Sequence, residues 1–490
     1  MTKFCLLLFS SVFFSTVYAQ DPYPSKNFSS PIENKLVVSS NFGKIRSNHF
    51  HAGFDINTKL KSGMNIYAVA DGYISRVNIS EKGYGKAIYI THPNGNVSVY
   101  AHLSQFEERV SKWVYQQQHL NQRFNLDMDF EQGRFPVKKG YLVGKSGNTG
   151  LSFGAHLHFE IRDELTEEII NPLLFGYNIY DTGDPVINAL YFYYFYKDSE
   201  HPGFFQREDI IVNQGDTLRN FNIIGMGLEM RDYVSKKNGN LDVYQLKVFS
   251  DDSLIFHYRF DRFSFDDSRY INSFIDYSEY KKTGKRIIKC YKEPNNKLNI
   301  YQSKGNGLID FTDGKLHKIN ILASDYQENT ARLDFYIQSD SASLFIPAQK
   351  SDSFVKKVPY NRPDYFSTDT FKITFNKDCL YDNLEFKYHV SHGWASEFSK
   401  YHYVHNPYVP LHKSATIAIK PHQLPDRLSS KAIIVGIGRN GARIPFSTIR
   451  SDGYLLADIN AFGTYYISVD TVAPIVKPVA KKLSKNQKLN

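Results

Sequence analysis

A mainly β chain is what this sequence predicts, and three observations predict it. Aromatic residues reach 15%, carried by 35 Tyr and 37 Phe against 2 Trp, and such enrichment suits the pleated, half-buried surface of strands. Short β-branched runs recur, bounded by turn dipeptides such as Asn94-Gly95, Asp313-Gly314 and Asp452-Gly453. The chain has 490 residues with 22% charged and 42% hydrophobic, which marks a globular body of about three domains. No internal repeat stands out.

The first segment reads as a signal peptide, residues 1–19. Lys3 supplies the positive start, Cys5 to Thr16 form an apolar core too short to span a bilayer comfortably, and Val17-Tyr18-Ala19 has the small-residue spacing of a cleavage site. Cleavage after Ala19 predicts export to the periplasm, cell envelope or medium. No later stretch is long and apolar enough to span a membrane. Two cysteines remain, Cys290 and Cys379, for which export permits a disulfide without implying one. The net charge of +9 suits an anionic surface such as a cell envelope. Part of that excess is a tail holding Lys477, Lys481, Lys482, Lys485 and Lys488. No nucleic-acid motif is present, and oligomeric state is not legible.

Residues 20–178 form the first predicted domain. Ile88-Tyr89-Ile90 and Val97-Ser98-Val99-Tyr100 flank Pro93-Asn94-Gly95 and predict a hairpin. Residues 104–135 are polar and long-chained, and predict a partly helical insertion between strands. Residues 179–346 predict a β-sandwich, with strands at Asp242 to Phe249, Leu254 to Tyr258 and Leu316 to Ala323. Residues 347–470 predict a second sandwich, with strands at Phe371 to Phe375, Ala415 to Ile419, Ala432 to Ile437 and Thr464 to Val469. A basic linker or tail, 471–490, follows. The histidines His389, His392, His402, His405 and His412 lack accompanying acids or cysteines at ligand spacing, and predict an aromatic surface or strand face.

Four segments of the first domain carry candidate chemistry. They are His49-Phe50-His51-Ala52-Gly53-Phe54-Asp55, Tyr100-Ala101-His102-Leu103, the run Gly144 to Gly150, and Gly154-Ala155-His156-Leu157-His158-Phe159-Glu160. On a strand, His156 and His158 share one face about 7 Å apart, while Leu157 and Phe159 point into the core. Imidazole and carboxylate are ordinary zinc ligands, and three of them with an open fourth position mark a catalytic site. The Gly-rich run lacks the order of a phosphate loop and predicts a tight turn.

Taken in order, these segments resemble the lysostaphin-like (LytM-type) zinc endopeptidases of bacteria, over about Asn41 to Arg162. Tyr67-Ala68-Val69-Ala70-Asp71-Gly72 and Gly83-Tyr84-Gly85-Lys86 share in the resemblance. It implies an antiparallel β-sheet metallopeptidase domain of the duplicated hybrid motif type, followed here by the two β-sandwich (Ig-like) domains. It also implies one Zn2+ ion held by His51, Asp55 and His158, His156 as catalytic acid/base, and His102 as its partner in polarising water or stabilising the transition state. His49 is then a supporting or surface residue. The implied substrates are the stem and crosslink peptides of peptidoglycan. Rival readings are a non-hydrolytic or autoinhibited wall-binding or activator module, and a stem-peptide carboxypeptidase. The presence of all five site residues favours an active endopeptidase.

Overall fold

The computed structural model describes residues 23, 27–196, 204–235, 239, 241–345, 354–394, 396 and 398–475. The expected signal peptide and the lysines of the basic tail lie outside these residues. The chain divides into two compact units. The first holds 52–181 with the residues up to 42, and the second holds 43–51 with 182 onwards. The short segment 43–51 therefore leaves the span expected to form the first domain.

The first unit is built on strands β1 (Val38–Ser40), β2 (Phe54–Asn57), β3 (Asn65–Tyr67), β4 (Gly72–Ile79), β5 (Lys86–Thr91) and β6 (Asn96–Ala101). After them come β7 (Gln105–Phe106), helix α1 (Glu108–Asn121), β8 (Leu126–Asp129), β9 (Pro136–Val137), β10 (Leu142–Lys145), β11 (His156–Asp163) and β12 (Ile169–Ile170). The main antiparallel sheet runs β1-β2-β11-β6-β5-β4-β8, and a smaller one runs β3-β10-β7. Alternation fixes which side chains face inward. Ile56, Ile88, Ile90, Leu157, Phe159 and Ile161 are all fully buried. The β5–β6 hairpin forms as expected around Gly95, whose φ of +77° suits the turn.

The insertion is partly helical, as expected. The Glu107 carboxylate caps α1 by accepting from the Arg109 and Val110 amides, and Gln122 ends it in the left-handed conformation. Its strand β8 pairs with β4 at the sheet edge remote from β2 and β11. At about 4.8 Å per strand, β8 lies on the order of 19 Å from β11. This strand extends the sheet and does not cover the histidine-bearing strands.

In the second unit, residues 182–345 contribute two five-stranded sheets. One orders Phe204–Ile210, Val186–Phe195, Ile223–Arg231 and Ile287–Lys289, with Ile309–Asp310 also on Ile223–Arg231. The other orders Thr217–Asn220, Thr330–Ser339, Leu316–Ser324, Gln245–Ser250 and Ser253–Arg259. Asp251 and Asp252 both take positive φ (50° and 65°), which is what a two-residue hairpin turn requires. Two short helices, Ile271–Phe274 and Tyr277–Thr283, were not anticipated. Residues 355–470 hold two further five-stranded sheets facing one core, with Phe371, Ile373, Phe375 and Ile417 from one meeting Val404, Ile434 and Ile467 from the other. Cys290 and Cys379 are free and buried. No described helix is long and apolar enough to cross a membrane.

The histidines of this last region split between surface and core. His389 is exposed and stacks on Tyr403, whereas His402 and His412 are 1% and 6% exposed. Burial holds the imidazoles of His402, His405 and His412 down at about 4. Between that value and the unfolded value near 6.5, the unfolded chain binds protons that the native chain does not, so stability rises with pH. The denaturant midpoint of this region should therefore fall on acidification from pH 7 to pH 5. Chemical denaturation at the two values, read by far-UV circular dichroism, checks this, and equal midpoints would refute it.

Candidate metal centre

The site begins with strand register. Asp55 on β2 stands directly opposite His158 on β11, and Ala101 on β6 flanks His158 on the other side. Directly paired residues put their Cβ atoms about 5 Å apart, so Asp55 Oδ1 reaches His158 Nδ1 at 2.9 Å. His156 lies two residues earlier on the same face, with Nε2 at 3.4 Å from Asp55 Oδ1. Gly53 lets β2 come this close, because a Cβ there would lie 2.1 Å from the Phe159 carbonyl oxygen. His51 precedes β2 on a bend and completes a group in which one ligand atom from each of His51, Asp55 and His158 lies within 4.8 Å of the others. Imidazole, imidazole and carboxylate at that spacing fit a zinc ion.

The tautomers follow from the hydrogen bonds. His102 Nδ1 sits 2.8 Å from the Thr149 carbonyl and His156 Nδ1 sits 2.7 Å from the Gly154 carbonyl. A carbonyl can only accept, so both Nδ1 atoms carry the proton and both Nε2 atoms keep a lone pair when the rings are neutral. Burial, reinforced by the neighbouring His158, holds the His102 imidazole down at about 4, which keeps it neutral at physiological pH. The two rings lie 4.8 Å apart, and His102 lies 5.8 Å from the His158 ring.

Beneath His158 is a buried ionic base. Glu160 is fully buried and accepts from His158 Nε2 at 2.8 Å and from the Tyr84 hydroxyl at 2.6 Å through one oxygen. Its other oxygen takes the Arg162 guanidinium at 2.6 Å. Burial opposes ionisation of Glu160, but Arg162, His158 and Tyr84 outweigh it and hold the carboxyl down at about 2. A permanently charged carboxylate behind Nε2 fixes that nitrogen as a donor and turns Nδ1 toward Asp55. Burial lowers the His158 pKa, yet hydrogen bonds to Asp55 and Glu160 raise it to about 9. An ion taking the Nδ1 position displaces that proton.

Sequence reasoning named the residues of this face but passed over two of their supports. Glu160 stood inside a quoted motif, and its signal was the same period-two spacing that pairs His156 with His158. The turn Gly144 to Gly150 was read as scaffold only, yet its Thr149 carbonyl orients His102. Gly150 takes φ +73°, and a Cβ there would lie 2.3 Å from the Gly85 amide nitrogen. His49, expected to be a supporting or surface residue, is exposed and hydrogen-bonds the Ser47 carbonyl at 2.9 Å.

Comparison with known proteins places this region in a family context. Residues 49–172 match Peptidase family M23, and residues 355–470 match the Zu5-like domain. The chain is 31% identical over 141 residues to the DD-carboxypeptidase/endopeptidase Mpg of Neisseria meningitidis serogroup B, covering 28% of this chain and 26% of that protein. It is 28% identical over 152 residues to an uncharacterized metalloprotease of Haemophilus influenzae, covering 29% and 26%. The chain thus spans about a quarter of the length of these relatives. A solved structure of the catalytic domain of lysostaphin from Staphylococcus simulans is also similar, at 22% identity and a TM-score of 0.22, covering 29% of this chain and 91% of that one. Residues 49–172 thus form a domain similar to those of peptidase family M23.

Replacing Glu160 tests the ionic base. Glu160→Ala should weaken zinc affinity about 10- to 100-fold, while Glu160→Gln, which keeps an acceptor for Nε2, should lose less. Competition against a chromophoric chelator measures both.

Proposed function

We propose that this chain is an exported zinc-dependent endopeptidase that hydrolyses peptide crosslinks of bacterial peptidoglycan. The observation that carries the reading is the convergence of His51, Asp55 and His158 beside two further histidines of fixed tautomer. The first three would hold the zinc ion, which when bound lowers the pKa of its water to about 7 and polarises the scissile carbonyl. The other two do the proton work. His156 presents Nε2 beside Asp55, where it can take the proton of the attacking water and return it to the departing amine. His102, neutral and anchored on Thr149, polarises the water or stabilises the developing oxyanion.

The match of residues 49–172 to peptidase family M23 supports peptidase chemistry, and similarity to a protein named as a DD-carboxypeptidase/endopeptidase is consistent with a peptidoglycan peptide as substrate. The same relative's name gives a specific ground for a second reading, trimming of stem-peptide ends at the same metal site. Products distinguish the two readings, since an endopeptidase splits crosslinked dimers and a carboxypeptidase releases a terminal amino acid.

Digestion of purified peptidoglycan by the mature chain, analysed by mass spectrometry, provides the test. Cleavage should disappear with chelator and return with zinc. His156→Ala should lower kcat/KM by about 10²- to 10⁴-fold with zinc content retained, whereas Asp55→Ala should lose the zinc itself. Intact peptidoglycan after incubation with folded, zinc-loaded protein would overturn the reading.

A further inference from the structure

His51 differs from the other site residues in what holds it. Asp55, His102, His156 and His158 sit in or beside sheet strands of the first unit, whereas His51 ends the segment Gly43 to His51 that packs with the second. That segment is a small closed hairpin. The Gly43 amide donates to the His51 carbonyl at 2.9 Å, the His51 amide donates to the Lys44 carbonyl at 2.9 Å, and Ile45 bridges Phe50. Asn48, with φ of +64°, turns the tip.

The hairpin is seated by both side chains and backbone. Phe50 is 1% exposed, and its ring centroid lies 5.3, 5.5 and 5.6 Å from those of Phe260, Phe263 and Phe274. Its amide donates to Ser268 Oγ at 2.8 Å. On the opposite arm, the Ile45 amide donates to Asp242 Oδ2 at 2.7 Å, and Asp242 faces Arg286 at 3.7 Å. Asn272 Nδ2 donates to Asn48 Oδ1 at 3.1 Å. Gly43 lies flat on Phe260, where a Cβ would come within 2.6 Å of the ring. His51 follows Phe50 directly, so its Cα lies about 3.8 Å from a fixed neighbour. Fixing Phe50 leaves His51 little more than its own side-chain rotations.

We propose that Phe50 is a positioning residue for the metal centre, and that the aromatic seat formed by Phe260, Phe263, Phe274 and Ser268 is a working part of that centre. The inference rests on the metal-site reading given above and adds that zinc affinity depends on side chains that are not themselves ligands.

The test uses the full chain with Phe50→Ala, Phe50→Leu, His51→Ala and, as a control, Ile373→Ala in the remote core of residues 355–470. Two quantities are read. One is the zinc dissociation constant by chelator competition, and the other is the visible spectrum of the cobalt(II)-substituted protein, which reports ligand number and geometry. Phe50→Ala should raise the dissociation constant tenfold or more and move the cobalt spectrum toward that of His51→Ala. Phe50→Leu should recover most of the affinity, and Ile373→Ala should leave both readouts at wild type. Should Phe50→Ala fail to fold, Ser268→Ala, which removes only the hydrogen bond to the Phe50 amide, should shift both readouts the same way. Wild-type affinity and spectrum in folded Phe50→Ala, or in Ser268→Ala where that variant stands in, overturn the proposal while leaving the metal centre intact. A wild-type chain that binds neither ion overturns the metal centre, and the proposal with it.

Discussion

The pairing of Asp55 with His158 across β2 and β11 constrains everything else in the first unit. It requires a register in which residue 55 meets residue 158, and a shift of one residue would send Asp55 into the apolar layer formed by Ile56, Leu157 and Phe159. Those three side chains are fully buried on the opposite face, so the hydrophobic core and the polar site enforce the same register from two sides. The site is thus not an addition to the sheet. It is the polar face that the sheet's own alternation leaves over.

That polar face carries an electrostatic burden. Asp55 and Glu160 bring two carboxylates against one imidazole, and burial penalises each charge. The penalty is met by distributing the partners: Arg162 and the Tyr84 hydroxyl serve Glu160 from below, and His158 joins the two carboxylates. With Glu160 compensated by Arg162, His158 is shared between Glu160, through Nε2, and Asp55, through Nδ1. Glu160 thereby orients the His158 ring through Nε2 and leaves Nδ1 facing Asp55, the orientation by which a buried carboxylate positions a metal-binding histidine in other proteins.

Much of this was legible in the sequence. Period-two alternation placed His156 and His158 on one face. The hairpin at Asn94-Gly95 and the strands Phe371–Phe375 and Ala432–Ile437 came from turn residues and apolar alternation, both local signals. What was missed depends on contacts far apart in sequence. The Thr149 carbonyl orients His102 through backbone, which carries no residue-specific mark. The hairpin 43–51 reads as part of the first domain by position, and only the aromatic cluster around Phe260 shows where it packs. The insertion 104–135 was rightly seen to be partly helical, but its strand joins β4, and sequence neighbourhood with His102 gave no hint of that edge.

These features give the five site residues unequal mechanical standing. Asp55 and His158 lie within the β2–β11 ladder, which continues past them on either side, and His156 closes that ladder opposite Asn57, so all three are positioned by strand pairing. His102 stands just past its strand in a left-handed conformation (φ 59°), and its ring is fixed by one carbonyl from the Gly-rich turn. His51 has no such ladder and depends on a two-arm hairpin gripped at Phe50 and Ile45. Loss of packing therefore reaches the site in a definite order: His51 is released by loosening side chains, His102 by loosening a turn, and the strand-borne residues only by breaking the sheet itself.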